Sequence, residues 1–129
     1  MLGRSAIRRW GMADAGLFIG WGEVVRGRET EALEVFNETL AYYGRLQEEG
    51  AIENFEPVFL EPHGGDLNGF ILIRGDAENL ASLRVSEEFN QFATRATLVV
   101  EGFGIVGADL AERLQRQMQF YTEQIGAFA

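Results

Sequence analysis

The amino-acid sequence predicts an α+β fold, in which an antiparallel four-stranded sheet carries helices on one face. Segments with helical spacing of apolar residues alternate with short strand-like apolar runs, in the order strand, helix, strand, strand, helix, strand and a final helix. Two of the strand-like runs are joined by a turn rich in glycine, asparagine and aspartate at residues 64–69, which is typical of a hairpin. The chain has 129 residues, 47% of them hydrophobic, which is enough for one core.

The first predicted strand and helix are separated by a short turn. Residues 17–25 read as a strand that ends at the turn of residues 26–28. From residue 29 to 49 the apolar period becomes helical, and Gly50 supplies the C-terminal stop. The residues predicted to share the buried face of this helix are Leu33, Phe36, Leu40 and Tyr43.

The hairpin and a broken helix follow. Its two strands are predicted at residues 52–61 and 69–74. Asp76 is a suitable N-cap for a short helix, and Ser86, followed by Glu87 and Glu88, restarts a helical turn after it.

The last two predicted elements are a strand at residues 97–106 and a helix capped by Asp109. The apolar stripe of that helix consists of Leu110, Leu114, Met118, Tyr121 and Ile125. The order of elements up to this strand is the βαββαβ arrangement of the ferredoxin-like fold, and the last helix is an addition to it.

The hairpin strands are apolar on both faces. The run Phe70-Ile71-Leu72-Ile73 shows no alternation of apolar and polar residues, although a sheet with one wet face should alternate. Helices can cover only one face. We therefore expect a second copy of the sheet on the other face, giving a two-fold homodimer.

Element order, together with the segment Asn79-Leu-Ala-Ser-Leu-Arg-Val-Ser-Glu-Glu-Phe89, resembles the dimeric α/β-barrel superfamily, in which two ferredoxin-like subunits pack sheet to sheet. The resemblance covers residues 17–125. That superfamily includes small monooxygenases, muconolactone isomerase-like enzymes, YCII-like proteins and many uncharacterised members. The resemblance therefore implies a fold and a homodimer, and no single reaction.

Composition excludes several classes of site and partner. The chain has no cysteine, no lysine and one histidine, so thiolate sites, Schiff-base chemistry and a multi-histidine metal site within one chain are excluded. We expect no metal and no cofactor. The formal net charge of −9 disfavours nucleic acid and anionic membranes as partners. Arginine without lysine indicates a GC-rich bacterial genome.

The N-terminus carries three arginines and no acid in residues 1–11. We expect residues 1–12 to be an arm or an upstream extension, with Met12 as the native start, and residues 13–129 to be one domain. No segment approaches the roughly 20 apolar residues of a membrane span, so we expect a cytoplasmic protein.

Residues 102–107 match G-x-G-x-x-G, with Glu123 about 20 residues further on, as in dinucleotide-binding proteins. A dinucleotide site needs a second parallel strand after the helix, and this sequence offers none. The better interpretation places Gly102 and Gly104 inside a strand, where a missing side chain leaves room for a close neighbour.

Two glycine pairs lie in strands predicted to be neighbours. Gly20 with Gly22 and Gly102 with Gly104 could form a smooth floor for a small ligand. Trp21, Glu23, Glu101 and Phe103 would then lie on the opposite face, and we expect a ligand pocket at the four glycines together with Trp21 and Phe103. The two carboxylates could share a proton and act as general acid and base, or they could simply pair with arginines.

His63 is the side chain best suited to proton transfer near neutral pH. Glu61 and Asp66 are its near neighbours in the hairpin turn. The alternative interpretation is a solvated turn histidine. Tyr43 is a further candidate, since its hydroxyl could enter a cavity.

Three function classes follow. The first is a small dimer that binds a small apolar ligand. The second, implied by the resemblance, is a cofactor-free monooxygenase or isomerase acting on a small aromatic or polyketide-like molecule, with the catalytic candidates His63, Glu23, Glu101 and Tyr43. The third is an interaction module that recruits a different protein.

Overall fold

A computed structural model describes residues 13–128, which form four strands and four helices. The strands are β1 (Ala15–Trp21), β2 (Asn54–Phe59), β3 (Gly69–Gly75) and β4 (Gly104–Asp109). The helices are α1 (Glu29–Glu48), α2 (Ala77–Arg84), α3 (Glu87–Thr97) and α4 (Ala111–Phe128). The prediction of an arm at residues 1–12 lies outside the described residues.

All four strands belong to one antiparallel sheet with the order β2-β3-β1-β4. The element order βαββαβ, with the second helix broken into α2 and α3, gives an α+β, ferredoxin-like fold, as the sequence predicts. None of the described helices is both long and apolar enough to cross a bilayer.

The core lies between the sheet and the helices α1, α2 and α3. Alternate residues of β1 and β3 face these helices, because side chains along a strand point to opposite faces in turn. The buried residues that meet there include Leu17, Ile19, Ile71, Ile73, Tyr42, Tyr43, Leu46, Leu80, Leu83 and Phe89.

The opposite face of the sheet, here called the open face, has no helix of α1–α3 over it. Its residues follow from the strand register, which aligns Leu72, Phe18 and Val106 in one row across the sheet. In the next row Val58 pairs with Phe70. The rings of Phe18 and Phe70 stack with their centroids 4.9 Å apart.

The predicted strand at residues 97–106 is wrong in its bounds. Helix α3 continues to Thr97, and Leu98 and Val99 form a turn after it. The next residue, Val100, makes only an isolated β-bridge to Val24. Gly102 adopts φ 62°, so the chain turns there before β4 begins at Gly104. The glycine motif, residues 102–107, therefore overlaps the first four residues of β4 and does not follow the strand.

Two further predictions need correction. Asp109 is the last residue of β4, and it does not cap the final helix. The buried residues of α1 are Val35, Tyr42, Tyr43 and Leu46, whereas Leu33 is 62% exposed. Leu33 is exposed because it lies at the edge of a cavity between α1 and the sheet, described below, and not over the packed core.

Candidate functional site

The sheet and the helices enclose an apolar cavity of about 300 Å³ beneath α1 and α3. Its floor is formed by the helix-facing side chains of Ile19, Ile71 and Ile105. The residues of α3 that line it include Phe92, Ala93 and Ala96, which lie on one helical face. The two alanines are too short to fill the space between α3 and the sheet, so the cavity stays open there.

Three aromatic side chains form one end of the apolar cavity. Trp21 meets Phe36 at a centroid distance of 6.0 Å and Phe59 at 6.2 Å, and the last two rings are 5.1 Å apart. Phe59 is 69% exposed, and Leu33 lies on the same lining. The cavity therefore opens to solvent at this aromatic end, and an apolar molecule would enter between Phe59 and Leu33.

Apart from the indole of Trp21, the polar side chains among residues 13–128 that line the apolar cavity are Glu29, Thr39 and Tyr43. The Thr39 hydroxyl donates a hydrogen bond to the Val35 carbonyl oxygen at 2.7 Å. One carboxylate oxygen of Glu29 accepts from the Gly27 N–H at 3.1 Å. Hydrogen bonds from the backbone N–H groups of Glu29 and Gly27 hold the pKa of this carboxyl below its ordinary value, so it is ionised at neutral pH.

Tyr43 is the buried polar residue of the lining, with 4% of its surface exposed. Burial raises the pKa of its hydroxyl above the ordinary value, and the nearby Tyr42 adds to the effect. Within residues 13–128 no hydrogen bond is found for this hydroxyl. The hydroxyl oxygen is not among the fully buried atoms without a partner, so it keeps accessible surface, and Tyr43 lines the cavity, where this group could donate to a bound molecule.

A second, polar depression lies at the hairpin end of the sheet and is lined by Glu23, His63, Glu101, Gly22 and Gly102, among others. The backbone explains the grouping. The Gly22 N–H donates to the Glu101 carbonyl oxygen at 2.7 Å, and the Glu101 N–H donates to the Glu23 carbonyl oxygen at 2.8 Å. Three of the four predicted catalytic residues are thus neighbours. Tyr43 lines the apolar cavity instead.

The ring of His63 is held by its own loop. Its Nδ1 accepts a hydrogen bond from the Gly65 N–H at 3.2 Å, so Nε2 carries the proton and donates to the Leu67 carbonyl oxygen at 2.8 Å. Both nitrogens are therefore engaged by backbone groups. Among residues 13–128, no three His, Asp or Glu side chains are placed to hold a metal ion.

The predicted glycine floor is divided between several places. Gly20 and Gly104 pair directly on the open face. A β-carbon at Gly20 would lie 2.8 Å from the Phe18 ring and 3.1 Å from Leu67, so these side chains occupy the space above it. Gly22 and Gly102 line the polar depression. Trp21 and Phe103, which the sequence assigns to the same ligand pocket as these glycines, line the apolar cavity instead.

The sequence pattern does not predict that a cavity lies between α3 and the sheet. The signal that could have found it is the pair Ala93 and Ala96, which interrupts the large apolar stripe of Phe89 and Phe92 on α3. Small residues on the core-facing side of a helix leave space above the sheet.

Neither a family model nor a curated protein sequence matches the chain. Solved structures do match it. A dimeric ferredoxin-like protein of unknown function from Jannaschia sp. CCS1 has 15% identity and a TM-score of 0.56, over 75% of this chain and 98% of that one. A dimeric protein of unknown function and ferredoxin-like fold from Bacteroides fragilis has 14% identity and a TM-score of 0.55, over 74% and 96%.

SnoaB, a cofactor-independent oxygenase from Streptomyces nogalater, is also similar, with 19% identity and a TM-score of 0.50 over 78% of this chain and 96% of that one. At these identities the likeness establishes the fold alone. About a quarter of this chain lies outside each match.

Proposed function

We propose that this protein binds a small, uncharged, largely apolar molecule with aromatic character in the apolar cavity. The observation that carries the proposal is a cavity of about 300 Å³, lined by aliphatic and aromatic side chains with three polar groups at its wall. Binding sites for small molecules have this character, with volumes upwards of about 300 Å³.

The polar groups define what the ligand should carry. The unpartnered hydroxyl of Tyr43 would donate a hydrogen bond to one ligand oxygen, since its raised pKa keeps it protonated. The ionised Glu29 at the lining disfavours an anionic ligand. A neutral aromatic molecule with one carbonyl or hydroxyl oxygen satisfies both conditions.

The proposal is tested by filling the cavity. Ala93→Leu adds a branched side chain inside it, whereas Ala41→Leu adds the same group on the exposed face of α1. Binding of the uncharged fluorophore N-phenyl-1-naphthylamine is measured by titration. We expect Ala93→Leu to weaken binding at least tenfold and Ala41→Leu to leave it within twofold. Equal affinity in both variants, or no binding to the wild type, overturns the proposal.

We also propose that two copies assemble through their open faces, as a sheet-to-sheet homodimer of the α/β-barrel type. Val106 on this face is 57% exposed, and Phe18, Leu72, Phe70 and Val58 continue the apolar surface from β4 across the sheet to β2. The charged side chains that β1–β4 present on this face, Glu56 and Arg74, form an ion pair at 3.3 Å. The face is thus apolar and close to neutral, which suits a contact between identical acidic chains.

This assembly is tested with one pair of substitutions. Val106→Arg places a charge on the open face, at the exposed position of its edge strand β4, and Val85→Arg places the same charge at an exposed position beside α2. Sedimentation equilibrium should give a dimer for the wild type and for Val85→Arg, and a dissociation constant raised at least tenfold for Val106→Arg. A wild-type monomer at micromolar concentration contradicts the assembly.

A second candidate function is a cofactor-free oxygenase or isomerase acting on the bound aromatic molecule. The structural similarity to SnoaB and the Tyr43 hydroxyl at the cavity wall favour it. A protonated Tyr43 would hydrogen-bond the reacting oxygen of the substrate, while Glu23, His63 and Glu101 lie in the separate polar depression. We retain the sequence-based expectation of a cytoplasmic bacterial protein for either function.

The enzyme candidate is tested with a panel of hydroxylated polycyclic aromatic compounds. Oxygen uptake reports an oxygenase, and proton NMR of the products reports an isomerase. We expect Tyr43→Phe to lower the rate at least tenfold and Tyr42→Phe, which is buried outside the cavity lining, to leave it within twofold. Compounds that bind without reacting would leave binding as the function.

A further inference from the structure

Helix α4 carries an apolar surface that no other part of residues 13–128 covers. All of its 18 residues are exposed. Leu114, Met118, Tyr121 and Ile125 are spaced four, three and four apart, so they form one face, here called the α4 stripe. Each of these residues is between 49% and 71% exposed.

The orientation of α4 places this stripe away from the sheet. The residues that face the start of β1, where they line a shallow depression with Asp14, are Glu112, Arg113, Arg116, Gln117 and Phe120. At roughly 100° per residue, that set and the α4 stripe are centred roughly 140° apart around the helix. A mostly polar side is therefore turned toward the subunit and the apolar side away from it, the reverse of a helix that belongs to its own subunit's core.

The apolar surface is continuous with the open face. Leu110, the residue before α4, extends over Gly16 of β1, where its Cδ1 lies 3.3 Å from the position that a β-carbon of residue 16 would take. Leu72 of the open face lies 3.4 Å from the same position. A molecule that covers the open face would therefore also be adjacent to the beginning of α4.

The charge of α4 favours a second copy of this chain as the molecule that covers the α4 stripe. Helix α4 contains two arginines and two glutamates and is neutral, although the whole chain carries −9. Two copies of an acidic chain repel each other least where their surfaces are neutral and apolar. A basic protein partner would instead be matched by an acidic surface, which the α4 stripe lacks.

We infer that the α4 stripe is a contact with a second copy of this chain, in addition to the open faces. The helix is about 27 Å long, enough to span the width of a four-stranded sheet at about 4.8 Å per strand. Each protomer thus extends α4 along its partner. The inference rests on the proposed homodimer and adds a second, separable interface to it.

The test compares two double variants of α4 with the same charge change. Met118→Glu with Ile125→Glu places two acids in the α4 stripe, and Gln115→Glu with Thr122→Glu places two acids outside it. Sedimentation equilibrium of the full chain should give a dimer dissociation constant at least 30-fold higher for the stripe variant and within threefold of wild type for the control. Equal constants overturn the inference. Circular dichroism must show equal helix content in both.

The outcomes separate the two interfaces. If Val106→Arg dissociates the dimer and the stripe variant does not, the open-face assembly holds and the α4 contact is wrong. If only the stripe variant dissociates, the α4 contact holds and the open-face assembly is wrong.

A photo-crosslinking amino acid at position 121 identifies the occupant directly. In the purified protein a covalent two-chain product supports the inference. A crosslink to residues 1–12 of the same chain overturns the inference. In a cell lysate, a crosslink to a different protein in place of the two-chain product also overturns it.

Discussion

The imidazole of His63 spans its own loop, accepting from the Gly65 N–H and donating to the Leu67 carbonyl oxygen. A side chain used in this way stabilises the turn, and both of its nitrogens would have to leave backbone partners before acting on a ligand. At the scale of one residue, these hydrogen bonds favour the interpretation of His63 as a structural residue of the turn over its interpretation as a proton-transfer group. The sequence alone is compatible with both.

We expect His63→Ala to lower the free energy of unfolding by roughly 0.5–1 kcal/mol, since two exposed hydrogen bonds are lost. Glu61→Ala in the same loop should change it by less than about 0.5 kcal/mol. Urea denaturation measures both. Binding of N-phenyl-1-naphthylamine should be unchanged in the two variants. Lost binding with unchanged stability would instead place His63 at a ligand site.

The buried hydroxyl of Tyr43 makes stability depend on alkaline pH. Its pKa is raised in the folded protein, so above the ordinary tyrosine pKa of about 10 the unfolded chain loses this proton and the folded chain keeps it. The stabilisation is complete below about pH 10 and decreases as the pH rises toward the folded pKa. The wild type should therefore lose about 1.4 kcal/mol per pH unit from this group. Tyr43→Phe should not show this decrease in stability. Urea denaturation midpoints of the two proteins are measured from pH 9 to 11.5, and an equal decrease in both would contradict the prediction.

At the scale of elements, helix α3 depends on Ser86 at its N-terminus. The Ser86 hydroxyl oxygen accepts from the Phe89 N–H at 3.4 Å, and the hydroxyl donates to the Leu83 carbonyl oxygen at 2.8 Å, so it joins α2 to α3. The sequence predicts this helix start correctly, because serine before two glutamates is typical of the beginning of a helix.

We expect Ser86→Ala to destabilise the protein by about 1 kcal/mol. Ser82→Ala, at an exposed position within α2, should be neutral or slightly stabilising, because alanine has the higher helix propensity. Thermal unfolding followed by circular dichroism measures both. Equal midpoints would show that the cap contributes nothing.

The position of β4 shows where local sequence stops being sufficient. The run Leu98-Val99-Val100 has high β propensity, yet α3 reaches Thr97, since Phe89, Phe92 and Ala96 continue one face above the sheet. Val99 is buried by tertiary packing, and the positive φ of Gly102 fixes where the chain turns into β4. Fold class, hairpin and element order depend on periodicity and could be predicted. The cavity depends on the space that two alanines leave unfilled between α3 and the sheet, which periodicity does not express.

At the scale of the whole molecule, a net charge of −9 acts against any assembly of identical chains. The surfaces left apolar, the open face and the α4 stripe, are also the surfaces with little net charge. The distribution of acids would therefore favour self-association through these two surfaces. The acidic remainder of each protomer would still repel its partner over long range.

Salt should therefore strengthen the dimer. Raising sodium chloride from 20 to 300 mM shortens the Debye length from roughly 20 Å to roughly 6 Å and screens repulsion between the acidic protomers. We expect the dimer dissociation constant to fall at least threefold in sedimentation equilibrium. A constant that rises with salt would point to an interface held by ion pairs between protomers, contrary to the neutral surfaces described above.

The contact of Trp21 with Phe36 and Phe59 gives the protein an intrinsic optical reporter. The chain has two tryptophans, so Trp10→Phe leaves emission from the cavity wall alone. An aromatic molecule that absorbs in the emission band of tryptophan would quench Trp21 by energy transfer when it enters. Occupancy of the cavity can then be followed in real time without a label, and extracts can be screened for the natural ligand by the loss of that single emission.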